Sequence, residues 1–313
     1  MSSTIHEPDE PTPPEARRLG RGIAVGTATA VAVGMGGFML IRDDSGSMGT
    51  VLFFLLPFVT GFATALVTQG KDLVLASLVI GVIICTAVLI ATGAEGWVCV
   101  LMSAPLIAVG LTIGAFIGCL VRLSNRGGKT YMTLLMLALV PLFLMGANRV
   151  EEKSRRTLRE ETIATTLVTD APRELVWNQL KTFDRIEGTK GVLMTIGLPV
   201  PVSCTMTGEG VGATRTCYFE EGRIEERVTE WNPPSTMKLE ITAFDVPGRP
   251  WLSFKDASYE LTSEGGRTIV TRKTTIVSRL SPAWYWRRME QIGVQTEHEY
   301  LFEEIKRKIE GAR

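Results

Sequence analysis

Apolar positions follow two different rhythms along this chain. From about Gly22 to Ala147 they run almost without interruption, whereas from Arg149 onward charged residues recur every few positions and apolar ones alternate with them. A hydrocarbon core about 30 Å thick calls for runs of about 20 apolar residues. Five runs predict membrane-crossing helices: Gly22 to Ile41, Thr50 to Thr68, Leu73 to Thr92, Trp97 to Val121 and Tyr131 to Ala147. The first is diluted by Gly, Ala and Thr, and the last is short and contains Pro141. Ahead of them residues 1–21, with Pro8, Pro11, Pro13 and Pro14, read as a disordered tail. A secretory signal is the competing reading of the first run, since Arg17, Arg18 and Arg21 precede it. The run is too long for that, the chain before it is long and acidic, and further spans follow at once.

After the membrane region (residues 22–147) and a charged connector (148–161) the period shortens to two. Thr162 to Thr169 predicts a strand. Asp170-Ala171-Pro172 then opens a helix over Glu174 to Phe183, with Leu175, Val176 and Leu180 as its apolar stripe. Six further strands are predicted: Val202–Thr207, Ala213–Phe219, Arg223–Trp231, Met237–Phe244, Leu252–Thr262 and Thr268–Val277. Glycine- and proline-rich turns separate them, as in an antiparallel meander. Pro282 begins a long closing helix from Ala283 to about Glu310. The whole chain therefore predicts an α-helical transmembrane bundle of about five spans followed by an α+β domain over residues 162–313.

Composition narrows the function. The chain has 33 basic and 33 acidic residues and no net charge, so the basic footprint of a nucleic-acid binder is missing. Two histidines and five scattered cysteines form no zinc-ligand spacing, and neither a metal nor a cofactor is expected. The spans hold no Asp, Glu, Lys, Arg or His, which argues against a pump or a proton-coupled carrier. Gly110, Gly114 and Gly118 lie on one face of the fourth span and allow close helix packing, within the bundle or through self-association. Cys85, Cys99 and Cys119 read as small apolar fillers.

Loop charges set the orientation. Arg17, Arg18, Arg21, Lys71, Arg122, Arg126 and Lys129 fall on one side, and only Arg42, beside Asp43 and Asp44, on the other. The bias places the N-terminus in the cytoplasm of a bacterial inner or plasma membrane and the C-terminal domain outside it. Arg149, Lys153, Arg155, Arg156 and Arg159 beyond the last span oppose that reading.

The stretches TLVTDAPRELVWNQL (166–180), GEGVGATRTCYFEEG (208–222), ERVTEWNPP (226–234) and SPAWYW (281–286), in this order of elements, resemble the SRPBCC or START-like superfamily of polyketide cyclase/dehydrase-like proteins. The resemblance covers about half of the chain. It implies a helix-grip fold, a curved antiparallel sheet wrapped around the long terminal helix, with a cavity for an apolar ligand. The superfamily includes lipid carriers, cyclases and hormone receptors, so the fold leaves the chemistry open.

Strand alternation sorts side chains by face. Val202, Cys204 and Met206; Ala213, Arg215, Cys217 and Phe219; Ile224, Glu226, Val228 and Glu230; and Met237, Leu239 and Ile241 form the more apolar faces, the candidate cavity wall. If Phe219 pairs with Ile224, Cys217 faces Glu226 and Arg215 lies diagonal to it. Arg215 then either meets a ligand carboxylate or phosphate or simply neutralises Glu226. Cys204 falls opposite Cys217 if the preceding loop has four residues, and the two either form a cross-strand disulfide or remain buried thiols. His298, on the apolar stripe of the last helix, is a candidate acid, base or ligand contact or a satisfied wall residue. Trp284, Tyr285 and Trp286 suit a membrane interface or helix-end packing, and Val192 to Val200 suits a lid.

These features point to a membrane-anchored domain that binds or presents a hydrophobic ligand, a lipid being the natural instance. The alternatives are a cyclase-like enzyme using Arg215, Glu226 and His298, or a structural or regulatory membrane protein without a ligand.

Overall fold

A computed structural model of the chain describes residues 13–41, 49–93, 95–124, 130–154, 158–246 and 251–311. It divides into a helical unit and an α+β unit, each described by itself.

The helical unit contains α1 (Pro13–Ile41), a single π-helical turn (Val51–Leu55) leading into α2 (Leu56–Val67), α3 (Lys71–Ala91), α4 (Trp97–Ser124) and α5 (Thr130–Ser154). The first helix begins earlier than expected. Proline is tolerated in a first turn, and nothing between Glu15 and Arg21 breaks a helix, so residues 13–21 are helical and not a loose tail. Residues 1–12 lie outside the described residues, as do the loop charges Arg42, Asp43, Asp44, Arg126 and Lys129.

Three helices among the described residues are long and apolar enough to cross a membrane, Arg17–Ile41, Lys71–Ala91 and Trp97–Ser124, against the five expected. The second run falls short because Thr68 turns extended (φ −103°, ψ 129°), which ends the helix at Val67. The apolar stretch Val51–Val67 then reaches only about 26 Å at 1.5 Å per residue. In the fifth, the side chains of residues 131–137 lie outside the described residues.

Backbones approach closely where α4 meets α2. A Cβ on Gly114 would stand 1.9 Å from the carbonyl oxygen of Phe58, and Gly110 and Gly118 face the carbonyls of Phe54 and Phe62 in the same way. The glycine stripe is thus occupied within the chain. At one end of the unit the Glu151 carboxylate of α5 accepts hydrogen bonds from the backbone N–H groups of Thr50 (2.6 Å) and Val51 (2.9 Å). These are free donors at a helix start, where negative charge is favoured. Ile41, Val51, Leu56 and Leu144 pack together at the same end. The end of α1, the start of the second helix and the end of α5 are therefore neighbours.

The α+β unit runs β1 (Arg159–Thr169), α6 (Arg173–Lys181), α7 (Val192–Thr195), β2 (Pro201–Thr207), β3 (Thr214–Phe219), β4 (Arg223–Asn232), β5 (Thr236–Asp245), β6 (Leu252–Glu264), β7 (Arg267–Ser278) and α8 (Ala283–Gly311). The seven strands form one antiparallel sheet in the order β1-β7-β6-β5-β4-β3-β2. Residues 170–200 carry the chain from one edge to the other, and the meander returns to it. β1 starts three residues before the expected Thr162, because Arg159 and Glu161 pair with each other at 2.8 Å and Arg159 grips buried Glu290 of α8. The predicted connector thus contributes to the sheet.

The core lies between the sheet and its helices. Val176, Trp177 and Leu180 of α6 and Leu301, Phe302, Ile305 and Ile309 of α8 pack against Leu167, Val228, Met237, Leu239 and Val270 of the strands. Full burial of each such side chain contributes about 1.5–3 kcal/mol. This sheet with a long helix laid along its inner face is a helix-grip fold.

Two bulges redirect side chains. Register shifts between Pro201 and Ser203, so Val202, expected in the cavity wall, points outward and is 38% exposed. A second shift between Val228 and Glu230 sends Glu230 outward to Lys238 (2.7 Å) and turns Trp231 inward against Trp177, ring centroids 5.1 Å apart. An extra residue in one strand reverses the alternation beyond it. The β3–β4 turn also differs. Phe219 N–H donates to Gly222 C=O at 3.0 Å, so Phe219 faces Gly222 and not Ile224, only Glu220 and Glu221 lie between them, Cys217 pairs with Ile224, and Arg215 stands directly opposite Glu226. Gly222 (φ +89°) is required there, since a Cβ would lie 1.8 Å from the Asp245 carbonyl oxygen.

Candidate functional site

On the largely apolar inner face of the sheet, several charged and polar side chains come together. Arg215 on β3 is 1% exposed, and its Nη1 donates to Glu226 Oε2 on β4 at 2.7 Å. The Arg215 side chain crosses the interior toward β6, where its guanidinium carbon lies 5.7 Å from the Tyr259 ring centroid. Arg272 on β7 approaches the same ring at 5.5 Å and donates through Nη2 to Glu297 of α8 at 3.1 Å. β3 and β7 are separated by three strands, so both arginines reach one tyrosine only because the sheet curls.

His298 follows Glu297 and is fully buried. Its Nε2 lies 2.8 Å from Thr274 Oγ1 and its Nδ1 2.9 Å from Thr165 Oγ1. Burial, with the nearby Arg272 charge, pushes its pKa down to about 2, so the ring is neutral and both nitrogens are engaged. That arrangement pins α8 to β1 and β7 and leaves His298 no proton to exchange near neutrality. Glu297 differs. Burial raises its pKa above the usual carboxylate range in spite of the Arg272 partner. Its side chain nevertheless keeps 19% of its surface accessible.

Several nitrogens of this group have no acceptor in the protein: Nε and Nη2 of Arg215, and Nε and Nη1 of Arg272. Buried charged donors are normally satisfied, and leaving them so is costly. Toward the β3–β4 end of the sheet the inner face becomes half-buried and apolar, with Met206, Phe219, Ile241, Phe244 and Phe254 along it. Phe244 and Phe254 stack at 5.3 Å. Val228 and Leu239, the other expected wall residues, are fully enclosed in the core.

Cys204 and Cys217 pair directly across β2 and β3 and are joined in a disulfide, Cα atoms 4.0 Å apart. Cys217 Sγ sits 4.0 Å from Glu226 Oε2. A bonded sulfur carries no proton, so this contact is packing. Trp286 is buried while Trp284 is 73% exposed, and in α7 Met194 is buried while Val192 faces outward.

Sequence alternation found Arg215 and Glu226 and missed Tyr259, Arg272 and Glu297. β7 carries Thr, Ile, Val and a base on both of its faces, so no alternation marked Arg272 as inward. Glu297 beside His298 on the last helix was the one available signal.

No family model matches the sequence, and neither does any curated protein. Solved structures do match. The Aha1 dimer from Colwellia psychrerythraea is 17% identical over 46% of this chain and 97% of its own, with a TM-score of 0.29. Zhui aromatase/cyclase from Streptomyces sp. R1128 is 14% identical over 48% and 96%, with a TM-score of 0.33. The di-domain ARO/CYC BexL of the BE-7585A biosynthetic pathway is 16% identical over 62% and 61%, with a TM-score of 0.35.

Proposed function

We propose that this protein is a membrane-anchored helix-grip domain that binds one hydrophobic ligand, a lipid in the simplest case, inside its sheet. The observation that carries the reading is the inner face itself. Half-buried apolar side chains lead to an enclosed polar group whose donors are incompletely used, the usual composition of a small-molecule site. Three helices suited to a bilayer in the same chain would keep such a site near the phase where apolar ligands concentrate.

In this reading the N-terminus is cytoplasmic and the α+β domain lies on the opposite side of a bacterial inner or plasma membrane. The loop charges support it. So does the placing of the end of α5 beside the end of α1, which puts the exit toward β1 at the far end of the helical unit from the start of α1. A Cys204–Cys217 disulfide suits an oxidising compartment. A second reading, a cyclase-like enzyme, draws on Glu297, a carboxyl beside Arg272 whose pKa burial raises.

Solvent extraction of the purified full-length protein, followed by mass spectrometry, tests the leading reading. About one equivalent of an apolar molecule per chain, beyond loosely held membrane lipid, is expected. Its absence overturns the proposal.

A further inference from the structure

Resting on the binding reading above, we propose that Arg215, with Arg272 across the Tyr259 ring, forms an oxyanion subsite that holds the carboxylate or phosphate head of an amphiphile. The chain of that amphiphile lies along Met206, Phe219, Ile241 and Phe244.

The free nitrogens on Arg215 are the decisive detail. Nε–H and Nη2–H point the same way along one edge of a guanidinium and form the two-pronged fork that matches a carboxylate or phosphate. On Arg215 neither nitrogen of that edge makes a well-formed hydrogen bond in the protein, although the Tyr259 side chain lies near the guanidinium, while the remaining nitrogen, Nη1, is taken by Glu226. Glu226 therefore holds the guanidinium in place without using the fork. Neutralising Glu226 does not require an unused edge on a side chain that is 1% exposed.

Arg272 repeats the pattern from the opposite wall, with Nη2 on Glu297 and two other nitrogens unpartnered. Both cations approach the Tyr259 ring, 5.7 and 5.5 Å from its centroid, so both act on the same part of the interior. Like charges brought this close in a low-dielectric interior favour a bound anion. Burial raises the pKa of Glu297 despite its Arg272 partner. The apolar half-buried residues begin beside Arg215, since Met206 is its cross-strand partner and Ile241 is the partner of Glu226. An acidic head at the arginines with a hydrocarbon body along that wall satisfies both surfaces.

The test uses full-length protein in phosphatidylcholine nanodiscs and three radiolabelled probes with one C18 chain: oleate, oleyl alcohol and oleoyl lysophosphatidate. Saturable binding is measured against empty nanodiscs. We expect oleate, lysophosphatidate or both to bind at least tenfold tighter than the alcohol, and the better of the two identifies the head as carboxylate or phosphate. In the double variant Arg215→Gln/Glu226→Gln, which leaves no unpaired charge, the preference for the acid should vanish while alcohol binding persists. Equal affinities for acids and alcohol in the wild type would overturn the subsite but leave the hydrophobic-ligand reading standing. Saturable binding of none of the three would overturn both. If the double variant does not fold, the wild-type ratio decides alone.

Discussion

His298 shows how one side chain can be essential to the fold and idle in chemistry. Its ring is held neutral between two threonine hydroxyls, with a pKa near 2 in place of 6.5. The unfolded chain binds a proton at this site below about pH 6.5 and the folded chain does not. The stability contributed by His298 is therefore complete above that pH and is lost progressively as pH falls toward 2, by up to about 1.4 kcal/mol per unit. Between pH 6.5 and 5 the loss approaches about 2 kcal/mol. Burial-raised Glu290 and Glu297 act in the opposite sense, holding their contribution at low pH and losing it as pH rises. The difference between wild type and His298→Gln isolates the histidine. Urea unfolding of the full-length protein in detergent at pH 7.5 and 5 should show the variant less stable at pH 7.5 and its pH slope shallower by one proton. Parallel slopes would refute the assignment. Arg215 was also readable from alternation alone, as an inward charge in an apolar strand, but Glu226 was placed diagonal to it and not directly opposite, because the turn was read with four residues between Phe219 and Ile224 where Phe219 in fact faces Gly222 across two.

Most elements were legible because periodicity reports burial, and burial builds elements. The six meander strands and both flanking helices fall within a few residues of their expected limits. What the pattern concealed were the bulges. An inserted residue at Val202, or between Val228 and Glu230, reverses faces without changing composition, so Val202 and Glu230 read as interior. Among the helices, the Gly110/Gly114/Gly118 stripe was legible as a packing face, though not its partner, the row of carbonyls at Phe54, Phe58 and Phe62. Replacing Gly114 by Ala places a methyl group 1.9 Å from the Phe58 oxygen and must push α2 and α4 apart. Overpacking of this kind costs about 1–3 kcal/mol. Gly36→Ala, where a Cβ meets nothing within 4 Å, should be neutral or slightly stabilising. Thermal unfolding of both variants in the same detergent checks this, and equal melting temperatures would contradict the packing described.

For the molecule as a whole, two solvents explain the two rhythms of the chain, and the spans were overcounted. The second run ends within one residue of its expected limit, and its helix Val51–Val67 is too short to count as a crossing. The whole-molecule arrangement also fixes the cysteine chemistry. Cys85, Cys99 and Cys119 are thiols outside any disulfide, whereas Cys204 and Cys217 are bonded to each other. Thiol titration of denatured, unreduced protein isolated from membranes should therefore find three thiols per chain and five after reduction. Five before reduction would place the domain in a reducing compartment and reverse the proposed orientation.

The central claim is that an amphiphile occupies the inside of the sheet and is more than a lipid bound around the helices. The most direct measurement compares the extracted ligand of wild type with that of Ile241→Trp, in which the indole would fill the half-buried apolar wall beside Glu226. The account predicts about one tightly held molecule per chain in the wild type and its loss in the variant, with membrane lipid unchanged. Identical extracts from two equally folded proteins would contradict it.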